Sequence, residues 1–332
     1  MKKILVTLAL LGSILGVKAQ QDPAYNMYVF NGLFINPAYA GSHEVVNLTA
    51  IYRQQWVGLD GAPSTGNISM NMPLRREQYA IGVTASNDKI GLGNTFSFTP
   101  AFSYRIKLKQ SKLCFGVQAS FAYYYRDNAK SDLPTSASDP TTSLNTNLFL
   151  PNVGFGVYWY GKNYFIGASA PHLMPTALGG GEKVGVLSYN STLAKVYNFY
   201  VFSAGYVTGK EEANVRFKPS ILMKWQQGLP NNIPQFDFNM ALLLVHRLWV
   251  GMSFKTSGNA FTPAGKPEPF GPESLSGYVQ VRVTPQLQIA YCYEGELTNL
   301  HNTNTGTHEI MLGYDFWYNK RRFVTSRYVT YF

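Results

Sequence analysis

Apolar and polar residues alternate with a period of two along most of the chain that follows residue 46. In the stretch 111–126, apolar side chains occupy odd positions from Leu113 to Tyr123, and small or polar ones occupy Cys114 to Ser120. This period is typical of a β-strand with two different faces. It predicts about fourteen strands, at 47–57, 64–73, 78–88, 94–108, 111–126, 150–161, 162–170, 196–208, 214–227, 233–245, 247–258, 274–284, 286–298 and 307–318.

The connections between these predicted strands alternate in length. Those after even-numbered strands are mostly short: 75–77, 109–110, 209–213, 246 and 285. Those after odd-numbered strands include all the long ones: 127–149, 171–195, 259–273 and 299–306. A soluble β-sandwich would show the same residue alternation, but short turns on one rim and long loops on the other are typical of outer-membrane barrels.

We therefore expect an all-β fold, a transmembrane up-and-down antiparallel β-barrel that covers residues 47–318. Many predicted strands exceed the usual globular length and suit tilted strands in a bilayer. Closure of the barrel would satisfy every backbone hydrogen bond in lipid. An even strand number places both ends of the barrel on the short-turn, periplasmic rim.

The first nineteen residues have the pattern of a secretory signal peptide. Lys2 and Lys3 precede an apolar run over 4–16, and the stretch ends at the small residue Ala19. We predict cleavage before Gln20, because the run is short for a membrane anchor. No later segment approaches ~20 uninterrupted apolar residues, which excludes a protein that spans the membrane with helices.

Composition and charge exclude two further classes. A chain that is 15% aromatic and only 14% charged is not a disordered one. Removing Lys2, Lys3 and Lys18 with the signal peptide leaves 25 of the 28 basic residues against 18 acidic ones, a net charge of +7. These basic residues are scattered, apart from a run at 320–322, so we predict no nucleic-acid partner.

An exported chain with two cysteines could form one disulfide. Cys114 lies on the fifth predicted strand and Cys292 on the thirteenth, which places them on nearly opposite walls of the barrel. Such a barrel is much wider than the ~7 Å between Cα atoms that a disulfide permits. We therefore expect two free thiols.

Residues 20–46 are rich in aromatic side chains but have neither a helical nor a strand period. Turn-forming pairs interrupt them, among them Asn31-Gly32 and Asn36-Pro37. An irregular aromatic segment at membrane depth needs to be enclosed by protein. We expect an N-terminal plug that starts at the periplasmic mouth and folds into the lumen.

The sequence offers little support for catalysis. None of the five histidines has the spacing of a metal site, and the chain has no Gly-x-Ser-x-Gly motif. The glycines at 179–181 lack the context of a phosphate loop and fit a loop tip. Catalytic residues drawn from separate strands stay possible in principle, yet we predict no enzyme, cofactor or metal.

Three stretches carry a family resemblance: QDPAYNMYVFNGLFINPAYAGS, LTAIYRQQWVGLDGAPST and the terminal RYVTYF. They resemble the PorP/SprF family, outer-membrane β-barrels of the type IX secretion and gliding machinery. The resemblance implies a non-catalytic component that supports export or surface anchoring of a large secreted protein through its C-terminal sorting domain. It further implies contact with periplasmic lipoprotein and motor-associated components and with outer-membrane lipid.

A FadL-like architecture gives an alternative function. The element Asn36-Pro37-Ala38 resembles part of the N-terminal hatch of FadL-type barrels. The protein would then be a passive transporter of hydrophobic or small solutes. A transporter needs a displaceable plug or a lateral opening in the wall, whereas an anchor needs neither.

The resemblance and the local pattern together give a set of candidate residues for the plug or for partner contacts. The loop after the first strand has two interpretations, a tight turn or a partner-contact loop, and Arg53, Gln54 and Gln55 could instead line the lumen and hold the plug. The candidates are Asn36, Pro37, Tyr39, Arg53, Trp56, Asp60, Gly61, Pro63, Arg327, Tyr328 and Phe332.

Residues 319–332 follow the last predicted strand and combine basic with aromatic side chains, so we expect a periplasmic tail that docks on the barrel or a partner. Burial of each ring is worth ~1.5–3 kcal/mol. Truncation after Tyr318 should leave a barrel that still shows heat-modifiable migration but should abolish surface display of the secreted substrate. A frayed tail would leave display and partner recovery unchanged, and loss of barrel folding would instead make the tail part of the insertion signal.

Overall fold

The computed structural model describes residues 25–74, 78–126, 146–174, 176–178, 194–196, 198–210, 213–226, 234–257, 271–298 and 304–316. Fourteen strands form a closed barrel in which each strand is antiparallel to its neighbours in the chain, and the last pairs with the first. They are β1 Val46–Gln54, β2 Ser64–Pro73, β3 Tyr79–Ile90, β4 Gly93–Lys107, β5 Ser111–Arg126, β6 Thr146–Gly161, β7 Tyr164–His172, β10 Phe199–Tyr206, β11 Val215–Gln226, β12 Gln235–Leu244, β13 Leu248–Ser257, β14 Gly271–Arg282, β15 Leu287–Glu296 and β16 Thr307–Phe316. The predicted fold class and strand number are confirmed.

A separate two-stranded sheet lies within the connection between β7 and β10. It consists of β8 Thr176–Leu178 and β9 Ala194–Val196. The predicted strand 196–208 was wrong at its start, because residue 196 belongs to β9 and the barrel strand β10 begins at Phe199. Among the residues that the structure describes, no helix has the length and apolar character needed to cross a bilayer.

Several other strand boundaries differ from the predicted ones by a few residues, and two of these differences have clear local reasons. The first strand ends at Gln54 rather than at 57, since Trp56 has a left-handed φ of 47° that breaks the extended chain. β6 begins at Thr146 rather than at 150, because Thr146 still pairs with Arg126 at the far end of β5. β5 and β6 are thus a pair of long strands on one side of the barrel.

The two faces of the wall differ as the alternation predicts. On β16, Ile310 and Leu312 are half exposed on the outer surface, while Glu309, Met311 and Asp315 are buried inside. Apolar side chains on the outside contact lipid, and polar ones on the inside need partners within the lumen. The loop pattern is also as predicted, with the motif-bearing loop after β1 on the long-loop rim.

Residues 25–45, which we call the lumenal segment, lie inside the barrel. They contain three short 3₁₀ helices, Asn26–Val29, Gly32–Phe34 and Pro37–Tyr39. The backbone of Asn26 contacts Glu309, near the long-loop end of β16, and Gly41 lies against Ala80, near the short-turn end of β3. The segment therefore extends along the lumen from one rim to the other.

Cys114 on β5 and Cys292 on β15 are both buried and free, eight strands apart around the barrel. We predict that the folded protein resists alkylation at both sites and that denaturation without reductant exposes two reactive thiols. Non-reducing mass spectrometry of the native protein measures this. A Cys114–Cys292 crosslink would contradict the strand order.

Candidate functional site

Four charged side chains form a buried cluster at the long-loop end of the lumen, which we call the outer ion cluster. Arg53 on β1 pairs with Glu294 on β15 at 2.9 Å and with Glu309 on β16. Lys255 on β13 pairs with the other oxygen of Glu294 at 2.7 Å. None of the Arg53, Glu294 or Glu309 side chains is more than 4% exposed.

The outer ion cluster binds the start of the lumenal segment. Glu309 accepts a hydrogen bond from the backbone N–H of Asn26, whose nitrogen lies 2.8 Å from one carboxylate oxygen and 3.1 Å from the other. It also accepts a hydrogen bond from the backbone N–H of Met27 at 3.1 Å. The Asn26 amide donates to Glu294 at 2.8 Å. Two cations and two anions balance in charge, so the cluster is stable only when all members are present.

A second polar contact involves the side chain of Tyr28. Its hydroxyl donates to Asp237 on β12 at 2.9 Å and accepts from the Asn239 amide at 2.6 Å. Ser253 on β13 also donates to Asp237.

The middle of the lumenal segment packs against three glycines of the wall. We call these residues the glycine seat, and they are Gly116 on β5, Gly156 on β6 and Gly167 on β7. A Cβ at Gly116 would lie 2.2 Å from the backbone nitrogen of Ala38, and one at Gly156 would lie 2.1 Å from Asn36 Oδ1. Only glycine permits so close an approach of backbone to backbone.

Asn36 fixes the segment in this seat through its side-chain amide. Its oxygen accepts the N–H of Ala38 at 2.9 Å and so caps the third 3₁₀ helix, in which Pro37 is the first residue. Its nitrogen donates to the carbonyl of Val157 on β6 at 2.9 Å. Ser169 on β7 donates to the carbonyl of Ile35 at 2.5 Å.

The short-turn end of the segment is held by its backbone carbonyls. Ser103 on β4 donates to the carbonyl of Ala40 at 2.8 Å, and Arg105 donates to that of Gly41. The Tyr39 hydroxyl and His43 Nε2 share a hydrogen bond at 3.1 Å.

The loop 55–63, which we call the motif loop, lies on the long-loop rim. Trp56 Nε1 donates to Glu296 at 3.1 Å, and Val57 exchanges backbone hydrogen bonds with the chain just before β16. On the other side, Gly91 donates to the carbonyl of Gly61 at 2.9 Å. The loop is therefore tied to both neighbouring connections.

Both interpretations of the motif loop agree with its geometry. Gly58 and Gly61 have positive φ values of 103° and 72°, as tight turns require, and Pro63 is buried next to β2. Asp60 is exposed at the tip. A loop that is rigid at its base and exposed at its tip is well suited to binding a partner.

The predicted candidates thus divide into three groups. Asn36, Pro37, Tyr39 and Arg53 all lie in the lumen, although Arg53 does not contact the other three. Trp56, Asp60, Gly61 and Pro63 lie together on the rim. Arg327, Tyr328 and Phe332 lie outside the described residues, so their role stays a prediction.

Sequence reasoning missed the acidic members of the outer ion cluster, Glu294 and Glu309, and its second cation, Lys255. Glu294 and Glu309 lie at inward-facing positions of β15 and β16, which was an available signal. Charged residues at such positions require buried partners. Within the described part of the chain, no group of His, Cys, Asp or Glu has the arrangement of a metal site.

A model of the family described as "Type IX secretion system membrane protein PorP/SprF" matches residues 17–314. The chain belongs to this family. The PorP/SprF protein described here is therefore an outer-membrane β-barrel component of the type IX secretion system. No curated protein sequence matches the chain.

Several solved outer-membrane proteins are similar in structure to this PorP/SprF barrel. A Pseudomonas aeruginosa FadL homologue has 13% identity and a TM-score of 0.45, over 91% of this chain and 96% of that one. The CymD monoaromatic hydrocarbon channel has 12% identity and a TM-score of 0.45, over 89% and 95%. Omp33 of Acinetobacter baumannii has 12% identity and a TM-score of 0.41, over 82% and 99%.

We predict that Gly116→Ala destabilises the barrel, because the added methyl group would overlap the backbone at Ala38. The expected loss is ~1–3 kcal/mol, measured by denaturant unfolding in detergent. Gly277→Ala on β14 is the control, since its Cβ would meet no atom within 4 Å and stability should not change. Equal effects of the two substitutions would show that the glycine seat does not hold the segment.

Proposed function

We propose that this PorP/SprF protein is a non-catalytic anchor in the outer membrane. It supports export or surface attachment of a large secreted protein, which it binds through that protein's C-terminal sorting domain. The observation that carries this proposal is the lumenal segment, which is bound to the wall from one rim to the other. A barrel whose interior is fixed in this way is suited to hold a partner rather than to pass a solute.

The energetics of the lumenal segment support an anchor over a passive transporter. Moving the segment would remove the Asn26 and Met27 donors from Glu309 and would uncover the glycine seat. Breaking a buried charged contact by removing one partner costs about 3–5 kcal/mol. Displacement of the whole segment would break several such contacts together, which makes routine opening expensive.

The space left in the lumen is small. One cavity of about 40 Å³ lies between the segment and β6, β7, β10 and β11, and one of about 30 Å³ lies between the segment and β11–β14. Apolar side chains dominate the first cavity, among them Ile35, Phe165 and Ile221. This cavity favours the alternative, a FadL-like transporter of hydrophobic or small solutes, and the experiment below separates the two functions.

Two surfaces are available for partners in this proposal. The motif loop, with Asp60 at its tip, lies on the rim that faces the cell exterior, where an exported sorting domain arrives. Periplasmic lipoprotein or motor-associated components would instead meet the short-turn rim. The basic, aromatic tail predicted from the sequence starts on that side.

The function is tested by locking the lumenal segment in place. Asn31 donates to Ser69 on β2 at 2.6 Å, so the pair Asn31→Cys and Ser69→Cys can be bridged by a short bis-methanethiosulfonate, which forms a reducible disulfide with each thiol. Cys114 and Cys292 are replaced by Ala to prevent other crosslinks. We expect the bridged protein to retain surface attachment of the secreted protein, because an anchor does not need the segment to move.

The control is the same variant after the bridge is cleaved with reductant. Solute uptake into liposomes is measured for the bridged and for the cleaved protein. Solute uptake that occurs only after cleavage, together with normal surface attachment in a strain that lacks the protein, would identify a transporter. Loss of attachment on bridging would likewise overturn the fixed-segment anchor.

A further inference from the structure

Strand β6 extends beyond the strand that follows it in the barrel. It pairs with β5 from Thr146 to Gly161 but with β7 only from Phe155 to Tyr160. β7 ends at His172, and the chain leaves the wall there. Among the described residues, the half of β6 towards the long-loop rim has a strand partner on one side only.

The departure of the chain from the wall is built into the structure. A Cβ at Gly154 would lie 2.4 Å from the carbonyl oxygen of Pro171, so glycine is needed for β7 to cross at this point. The Asn152 side chain accepts the N–H groups of Leu173 and Met174, both at 3.0 Å, and donates to the Met174 carbonyl at 2.8 Å. Asn152 thus binds the departing chain where strand pairing stops.

The direction of the backbone groups identifies the open edge. The carbonyl of Val153 accepts the N–H of Leu173 at 2.9 Å, so it faces the β7 side. Because directions alternate along a strand, the groups of Asn147, Phe149 and Pro151 face the same side. Pro151 has no N–H, which fits an edge position. In the described part of the chain, the N–H of Phe149 and the carbonyls of Phe149 and Pro151 have no hydrogen-bond partner.

The edge has little of the protection that natural strand edges carry. No residue from 146 to 155 is charged, and Pro151 is the one blocking residue within that range. Phe149 is 62% exposed on the outer face and stacks on Phe121 with 6.3 Å between ring centroids. Unpaired backbone groups along an exposed strand edge are a template for pairing with another extended chain.

We propose that the edge of β6 at 147–151 binds an extended segment of the exported polypeptide, which adds to the wall as a further strand. The inference rests on the proposed function, because that polypeptide is the partner assigned there. Strand addition supplies the missing main-chain hydrogen bonds. The five edge residues span about 17 Å, and the uncharged, aromatic outer face selects a segment that is uncharged and apolar on its lipid side.

Amide hydrogen exchange on the purified protein in detergent tests whether the edge is open. The amides of Asn147 and Phe149 should exchange faster than those of Leu148 and Leu150, which face β5. Addition of an uncharged synthetic peptide of alternating Val and Ser should slow the first two and leave the others unchanged. Slow exchange of all four before addition would mean that the protein's own β7–β10 connection covers the edge, which overturns the proposal.

Two substitutions at one position test the edge in cells. Phe149→Pro removes the outward N–H without breaking the β5 ladder, whereas Phe149→Ala removes only the side chain. We expect loss of surface attachment of the secreted protein for the proline variant alone, with normal heat-modifiable migration for both. Equal loss in both would show that the ring and not the backbone matters, and would contradict strand addition.

The outcome for a strain that lacks the protein separates this inference from the proposed function. Attachment that persists without the protein would refute the anchor function itself. Attachment that is lost without the protein but retained with Phe149→Pro would refute the β6 edge alone. Slowing of Asn147 and Phe149 exchange by an apolar solute such as benzene, but not by the peptide, would make the edge a solute outlet and overturn the proposal.

Discussion

Hydrogen bonding of the backbone in lipid is the constraint on which the rest of this structure depends. No water is available there to pair with a free N–H or carbonyl, so a sheet in a bilayer must close on itself. Closure fixes which residues face outward, and the outer face is accordingly apolar. The inner face then becomes polar and needs partners of its own. Among the described residues, β6 has a strand partner on one side only near the long-loop rim.

The lumenal segment meets the needs of the inner face much as a core does in a soluble protein. Polar wall residues such as Ser103, Ser169 and Asp237 pair with its carbonyls and hydroxyls, and wall glycines fit its bends. Aromatic residues of the segment pack against rings of the wall, as Phe30 does edge-on against Tyr278 at 5.5 Å. Its irregular sequence is thus a consequence of an irregular interior surface.

The period of two and the alternation of loop lengths were sufficient to predict the barrel and its fourteen strands. Both patterns follow directly from a closed wall that has lipid on its outer side. The ends of strands were less predictable: the left-handed Trp56 and the long β5–β6 pairing depend on contacts with neighbours. The many aromatic residues of the lumenal segment predicted that protein encloses it, but not in which direction it runs through the lumen. Its direction is set by Glu309, whose partner Arg53 lies more than 250 positions away in the chain.

The outer ion cluster also joins the two ends of the barrel. Arg53 and Glu309 are direct register partners on β1 and β16, the strands that meet at the closing seam. The carboxylate of Glu309 therefore reaches Arg53 and the start of the lumenal segment only once the last strand has found the first. The contacts of Asn26 and Met27 with this ion pair are therefore complete only when β1 and β16 have paired, so closure of the wall also completes the binding of this end of the segment.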